Sequence, residues 1–147
     1  MNYTEQVMEH FSNPRNMGEI ENPSGVATVG SSECGDLVRV FVDIDDDGII
    51  RDIKFKTFGC AAAVATSSMG TELVKGKTIE EALKVTNEAV CEALGGLPAV
   101  KVHCSLMAEE AIHAALWDYA QKNGLSFEGL GEPRHEVAEE KLEDEAY

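Results

Sequence analysis

Three cysteines of this chain stand where elements of secondary structure are expected to meet. Cys34 lies in Glu33-Cys34-Gly35-Asp36, Cys60 in Phe58-Gly59-Cys60-Ala61 and Cys104 in Lys101-Val102-His103-Cys104. Thiolate sulfur is soft and suits zinc or iron–sulfur clusters. Asp36 offers a hard oxygen and His103 an imidazole beside those thiols. Three thiolates with one weaker ligand release a cluster more readily than four thiolates do. Such a set suits a donor site and serves a permanent electron-transfer centre badly. Glycines next to Cys34 and Cys60 are expected to let a bulky cluster approach the backbone. No Cys-x-x-Cys pair is present, so three unrelated buried thiols stand as the competing reading at this level.

The remaining candidates are weaker. Cys91 sits mid-helix in Asn87-Glu88-Ala89-Val90-Cys91-Glu92, with no Gly, Asp or His beside it, and reads as a packing thiol. His113 lies one turn from Glu109 and Glu110 and is expected to be an ion partner on a helix face. His10 and His135 suggest solvent exposure and nothing more.

The elements that position these residues follow from periodicity. Tyr3 to Phe11 reads as a short helix, with Val7, Met8 and Phe11 near helical spacing and Asn13-Pro14 as its stop. Gly25 to Ser31 is a β-branched strand. Val38, Val40, Val42 and Ile44 alternate along a second strand, and Asp47-Gly48 marks a hairpin. Ile49, Arg51, Ile53, Phe55 and Thr57 are expected on one face of a third strand. Short turns between them imply an antiparallel meander. Cys60 to Val74 then reads as helix, and Thr78 and Glu81 form a capping box opening another. Asn87 to Leu94 is a further helical piece ending at Gly95-Gly96. Ser105 to Lys122 is the longest helix, with Ala108, Ile112, Ala115 and Tyr119 as its apolar stripe. Cys34 thus precedes the second strand, Cys60 joins the third strand to a helix, and Cys104 opens the long helix. There the macrodipole favours thiolate. Strands first and helices afterwards give an α+β fold: a small antiparallel sheet of about three strands with helices on one face.

Composition limits the function classes. The 147 residues fit one domain, and 44 % hydrophobic with 27 % charged residues is an ordinary globular balance. The expected division is a domain over residues 1–128 and a disordered acidic tail over 129–147. Glu132 to Tyr147 holds seven acids and two bases with little to bury. A net charge of −15 repels polyanions, so nucleic acid and anionic membranes are not expected as partners. The first ten residues carry no signal-peptide pattern, and a cytoplasmic location with reduced thiols is expected.

Two motif matches fail on their own chemistry. Asp43-Ile44-Asp45-Asp46-Asp47-Gly48 imitates half an EF-hand loop, but the twelfth position, where calcium needs a glutamate, is Lys54. Gly76-Lys77-Thr78 imitates the end of a P-loop, but the earlier glycine would stand at Thr71.

The longer ordered segments resemble the IscU family, also seen as the N-terminal domain of NifU. They are His10-Phe11-Ser12-Asn13-Pro14-Arg15-Asn16, Cys34-Gly35-Asp36, Lys56-Thr57-Phe58-Gly59-Cys60 and Leu97 to Ser105. The resemblance runs from Tyr3 to about Gly124 and implies an IscU/SufE-like fold. It implies a scaffold rather than an enzyme. Such a protein accepts persulfide sulfur from a cysteine desulfurase, binds Fe2+, builds a [2Fe–2S] cluster and passes it to apo-proteins. Carried over residue by residue, the cluster cysteines are Cys34, Cys60 and Cys104, joined by Asp36, His103 and Lys101. Cys104 is expected to be the principal persulfide acceptor: the helix start and the nearby His103 and Lys101 favour its thiolate, and its place after the Leu97–Lys101 loop suggests exposure. Ala99 replaces the second proline of the family's chaperone-binding segment, which argues against Hsp70-assisted release. Ala61 likewise replaces a glycine common in the family. The sequence leaves open whether Asp36 or His103 is the fourth ligand, whether zinc occupies the apo-scaffold and whether the chain forms a dimer.

The main alternative is a zinc-dependent sulfurtransferase of SufU type. Those proteins typically carry an insertion before the third cysteine and lack the histidine there. Here Gly96 to Cys104 leaves no room for an insertion, and His103 is present. A purely structural zinc module and a thiol redox enzyme are the lesser rivals.

Overall fold

The computed structural model describes residues 3–30 and 36–133. Strands β1 (Gly25–Gly30), β2 (Leu37–Ile44) and β3 (Ile50–Phe58) form one antiparallel sheet in the order β1-β2-β3. Among the described residues the helices are α1 (Glu5–Ser12), α2 (Ala61–Val74), α3 (Ile79–Ala82), α4 (Asn87–Ala93) and α5 (Val102–Lys122). A 3₁₀ turn, Ala99–Lys101, leads into α5. Val38, Val40, Val42, Ile53 and Phe55 alternate toward one face and are buried. Helices α2 and α5 pack there. The protein is therefore the expected α+β fold with a three-stranded antiparallel sheet.

Small side chains let the layers close. Gly25 faces the backbone of α5, where an added Cβ would lie 2.3 Å from the Ala115 carbonyl oxygen. The Val26 amide donates to Asp118 Oδ2 of α5 at 2.9 Å. Ala63, Ala65 and Ser67 of α2 are fully covered or nearly so, and the single Thr66 Oγ1 proton is within reach of Ala62 O at 2.8 Å and, across on α5, of Cys104 O at 3.2 Å.

Three local expectations change. The third strand does not keep strict alternation. Asp43 pairs with Asp52 and Ile44 with Ile50, so Arg51 is an extra, bulged residue. The bulge turns Ile50 into the core and leaves Arg51 outside, where its Nη2 donates to Asp43 Oδ2 at 2.7 Å. Ile49 and Arg51 are thus not on the inward face. In α1 the buried pair is Val7 and His10, while Met8 and Phe11 are exposed. Finally, α5 begins at Val102, so Cys104 is its third residue and not its opening one.

Other signals hold. Thr78 Oγ1 accepts from the Glu81 amide and Glu81 Oε1 accepts from the Thr78 amide, the reciprocal capping box. The Asp45–Ile49 hairpin is closed by Asp45 Oδ1, which accepts from the amides of Asp47 and Ile49. The Gly76–Thr78 turn pairs with the start of β3: the Ile50 amide donates to Lys77 O and the Gly76 amide to Ile50 O, both at 2.8 Å. Phe127 and Leu130 pack against the main core. The acidic run from residue 134 onward, with His135, lies outside the described residues. No described helix is long and apolar enough to cross a membrane.

Candidate metal centre

The sheet register builds half of the site. Leu37 pairs with Phe58 at the last rung of β2 and β3. Continuing one residue on each side sets Asp36 against Gly59 and Cys60. Gly59 is needed there for a reason other than cluster access: an added Cβ would lie 2.8 Å from Asp36 Cγ and 2.9 Å from Asp36 Oδ1. The glycine makes room for the carboxylate. Helices supply the other half. Cys60 is the N-cap residue of α2, and His103 and Cys104 lie in the first turn of α5. Cys104 is held at that depth by the Thr66 hydrogen bond to its carbonyl.

Three donors converge, and Cys60 lies against two of them. Cys60 Sγ lies 3.6 Å from Cys104 Sγ and 3.7 Å from Asp36 Oδ2. Cys104 Sγ lies 4.0 Å from Asp36 Oδ2 and 3.6 Å from His103 Nε2. One ligand atom each from Asp36, His103 and Cys104 falls within 4.8 Å of the others. Tetrahedral ligands on bonds of 2.0–2.3 Å stand about 3.3–3.8 Å apart. Asp36, His103 and Cys104 are close enough together to hold one metal ion, and Cys60 Sγ packs against two of them. Cys34 lies outside the described residues.

Burial divides the two thiols. Cys104 is wholly covered, at 0 % exposure, whereas Cys60 is only partly buried. The expected exposure of Cys104 is therefore not found, because the 3₁₀ turn and the first turn of α5 carry it inward against α2. Asp36 is also buried, at 6 % exposure. The Lys101 ammonium is held above its ordinary pKa, chiefly by negative charge on Cys60, with Tyr3, Cys104 and Asp36 adding and desolvation opposing. Its strongest partner is thus Cys60 and not its near neighbour in sequence, Cys104. Thr66 carried no chemical signal in the sequence. It occupies a helix rich in Ala and Ser, and only the packing of α2 on α5 gives it a role.

Two histidines depart from expectation. His10 is buried at 6 % exposure, its Nδ1 2.7 Å from Ser68 Oγ, and burial first and Arg15 second lower its pKa. His113 is no simple ion partner. Burial lowers its pKa against a smaller raising effect of Glu109, and its Nε2 is buried without a hydrogen bond. Cys91 is half-buried, on α4 and apart from the site residues in the chain.

A sheet end and two helix starts that present thiol, carboxylate and imidazole together define a small α+β domain with a candidate metal centre. Residues 2–126 match the family described as NifU-like N terminal domain, and the chain belongs to that family. The iron–sulfur cluster assembly scaffold protein IscU 1 of Archaeoglobus fulgidus is 59 % identical over 122 residues, covering 83 % of this chain and 79 % of that protein. The scaffold protein IscU of Haemophilus influenzae is 49 % identical over 127 residues, covering 84 % of this chain and 100 % of its own. Among solved structures, a candidate cluster assembly scaffold for the SUF system from Fervidobacterium islandicum AW-1 superposes with a TM-score of 0.67 at 27 % identity, covering 78 % of this chain and 96 % of that one. A NifU-like N-terminal protein from Brucella abortus gives a TM-score of 0.64 at 24 % identity, covering 80 % and 94 %, and shares the fold.

Proposed function

We propose that this chain is a cytoplasmic scaffold that takes persulfide sulfur from a cysteine desulfurase, binds Fe2+, assembles a [2Fe–2S] cluster and passes it to apo-proteins. The observation that carries this reading is the convergence of Asp36, His103 and Cys104 within 4.8 Å of one another, with Cys60 Sγ 3.6 Å from Cys104 Sγ and 3.7 Å from Asp36 Oδ2. Cys34, Cys60 and Cys104 supply thiolates, and Asp36 or His103 completes the set. Cys104 holds the transferred sulfur, and Lys101 offsets the negative charge that gathers around Cys60. Soft thiolates suit the iron of the cargo, and one harder ligand leaves an edge from which it can leave. The family and the named relatives support the scaffold role. The acidic charge of −15 fits a basic docking surface on the desulfurase, with association weakened by salt.

A zinc-dependent sulfurtransferase of SufU type is the second reading, kept because Asp36, His103 and Cys104 could equally hold zinc. The short Gly96–Cys104 connection, running straight through the 3₁₀ turn into α5, supports the scaffold instead. Anaerobic reconstitution with ferrous iron, cysteine and a desulfurase tests the choice. Visible charge-transfer absorption is expected, lost on Cys34→Ser, Cys60→Ser or Cys104→Ser and kept on Cys91→Ser. A colourless protein that retains only zinc yet still accepts sulfur would establish the sulfurtransferase. Equal loss at Cys91 would remove the site assignment.

A further inference from the structure

The helix starts of this molecule are of two kinds. Among the described residues, α1, α3 and α4 are capped by the hydroxyls of Thr4, Thr78 and Thr86. Helices α2 and α5, whose starts carry Cys60, His103 and Cys104, have no side-chain cap. The first amides of a helix lack partners within it, so an uncapped first turn frays unless the chain before it is held. For α5 that chain is the connection Gly95 to Lys101, which ends in the 3₁₀ turn. It begins with a pivot: Gly95 and Gly96 have φ of +77° and +103°, in the region that favours glycine.

We propose that the first turn of α1 is a latch on this connection, and that releasing Thr4 from Leu94 lets the connection swing and opens the metal centre; the inference rests on the reading above. Thr4 Oγ1 accepts from the Val7 amide at 3.1 Å and donates to Leu94 O at the C-cap of α4. One hydroxyl thus starts α1 and ties it to the residue before the pivot. The same turn seats on Gly95, where an added Cβ would lie 3.2 Å from Gln6 Oε1 and 3.4 Å from Thr4 Cγ2. Past the pivot, Leu97 packs with Tyr3 on the buried cluster of Val7, Ala65, Val90 and Leu94. An eight-residue helix is not stable alone in water, so α1 keeps its helix and its hold on the connection together, and loses them together. Cys104 is wholly covered, so ligand exchange at its sulfur needs such an opening. Passage through a minor open state scales entry and exit alike, so a weaker latch quickens both and leaves affinity as it was.

The test uses the full chain with its thiols reduced and Zn2+ as the probe, taken up from solution and withdrawn by excess chelator in stopped flow. Thr4→Val removes the hydroxyl at nearly constant volume. Uptake and release of Zn2+ should both quicken about tenfold, with Kd changed less than about twofold. Amide exchange read by mass spectrometry should quicken across residues 95–104 and stay unchanged in β2 and β3. Thr4→Ser keeps the hydroxyl and the cap and should match the parent chain. Leu97→Ala loosens the other side of the contact and should repeat the Thr4→Val pattern, which keeps the test open if Thr4→Val does not fold. Unchanged Zn2+ rates in the folded variants would overturn the latch and leave the scaffold reading standing. Faster release with unchanged uptake, and so weaker affinity, would show that α1 positions the ligands without gating them and would overturn it as well. A parent chain that takes up neither Zn2+ nor Fe2+ would overturn the metal-site reading itself, and the latch with it.

Discussion

Two buried polar regions of this molecule are built from similar residues and behave as opposites. In the seam between α1 and α2, His10 Nδ1 meets Ser68 Oγ at 2.7 Å, and the same oxygen accepts from the Arg15 amide at 2.8 Å. These are full hydrogen bonds, and the seam is closed. At the end of the sheet, Cys104 Sγ lies 3.6–4.0 Å from Cys60, His103 and Asp36, and Cys60 Sγ 3.7 Å from Asp36 Oδ2. Those distances are ordinary for the larger sulfur atom, and Asp36, His103 and Cys104 also stand close enough to share one metal ion. Nitrogen and oxygen groups close the seam by bonding each other, whereas the sheet end gathers soft and hard donors at one place. A histidine belongs to both regions, so residue type alone does not separate them.

The largest expected effect sharpens the seam. Ser68→Ala removes the partner of two buried groups and should cost about 1–3 kcal/mol in denaturant unfolding. Cluster yield per folded molecule should stay unchanged; a selective loss of cluster would show that the seam and the site are not separate. The reverse pattern is expected at the sheet end. Gly59→Ala drives a Cβ into the Asp36 carboxylate and should lower iron or cluster affinity about tenfold, read by metal titration, with little change in melting temperature. Unaltered affinity would mean that the Asp36 position does not matter to the ligand.

Asp36→Ala bears on release. The matching change is expected to make the cluster longer-lived, with transfer to an apo-ferredoxin a few-fold slower. Transfer at the original rate or faster would remove Asp36 as the release element. The smallest effect is in pH. Burial lowers the pKa of His10 from its ordinary 6.5, so the folded protein keeps this ring neutral. As pH drops below that value the unfolded chain takes up a proton that the folded chain resists. The stabilising contribution is therefore present above pH 6.5 and lost below it. Burial acts on His113 in the same direction. Unfolding midpoints measured between pH 7 and pH 5.5 should fall, and His10→Gln should flatten the fall. An equal slope in the variant would place the pH dependence elsewhere.

Much of the fold was legible because its signals are local. Alternating valines placed β2, Asp47-Gly48 placed the hairpin, and Thr78 with Glu81 placed a helix start. The β3 bulge was not legible, since Ile49 and Ile50 are equally apolar. Only pairing with β2 decides which one turns inward. Cys60 and Cys104 were legible as candidate ligands from their type and from the Gly and His beside them, and the structure brings their sulfurs within 3.6 Å. His10 was misread because a polar ring on a short helix gives no hint that Ser68 and the Arg15 amide will close over it.

By itself the sequence determined the donor chemistry: soft sulfur, one carboxylate and one imidazole, set at the ends of elements. Tertiary structure alone decided how those donors are arranged and covered. The rung Leu37–Phe58 brings Asp36 beside Gly59, and the packing of α2 against α5 draws Cys104 inward while Cys60 stays partly open. The partners in these contacts are 21 to 44 positions apart in the chain. Spacing within a local window carries periodicity and caps, but burial and donor distance depend on which distant surfaces meet.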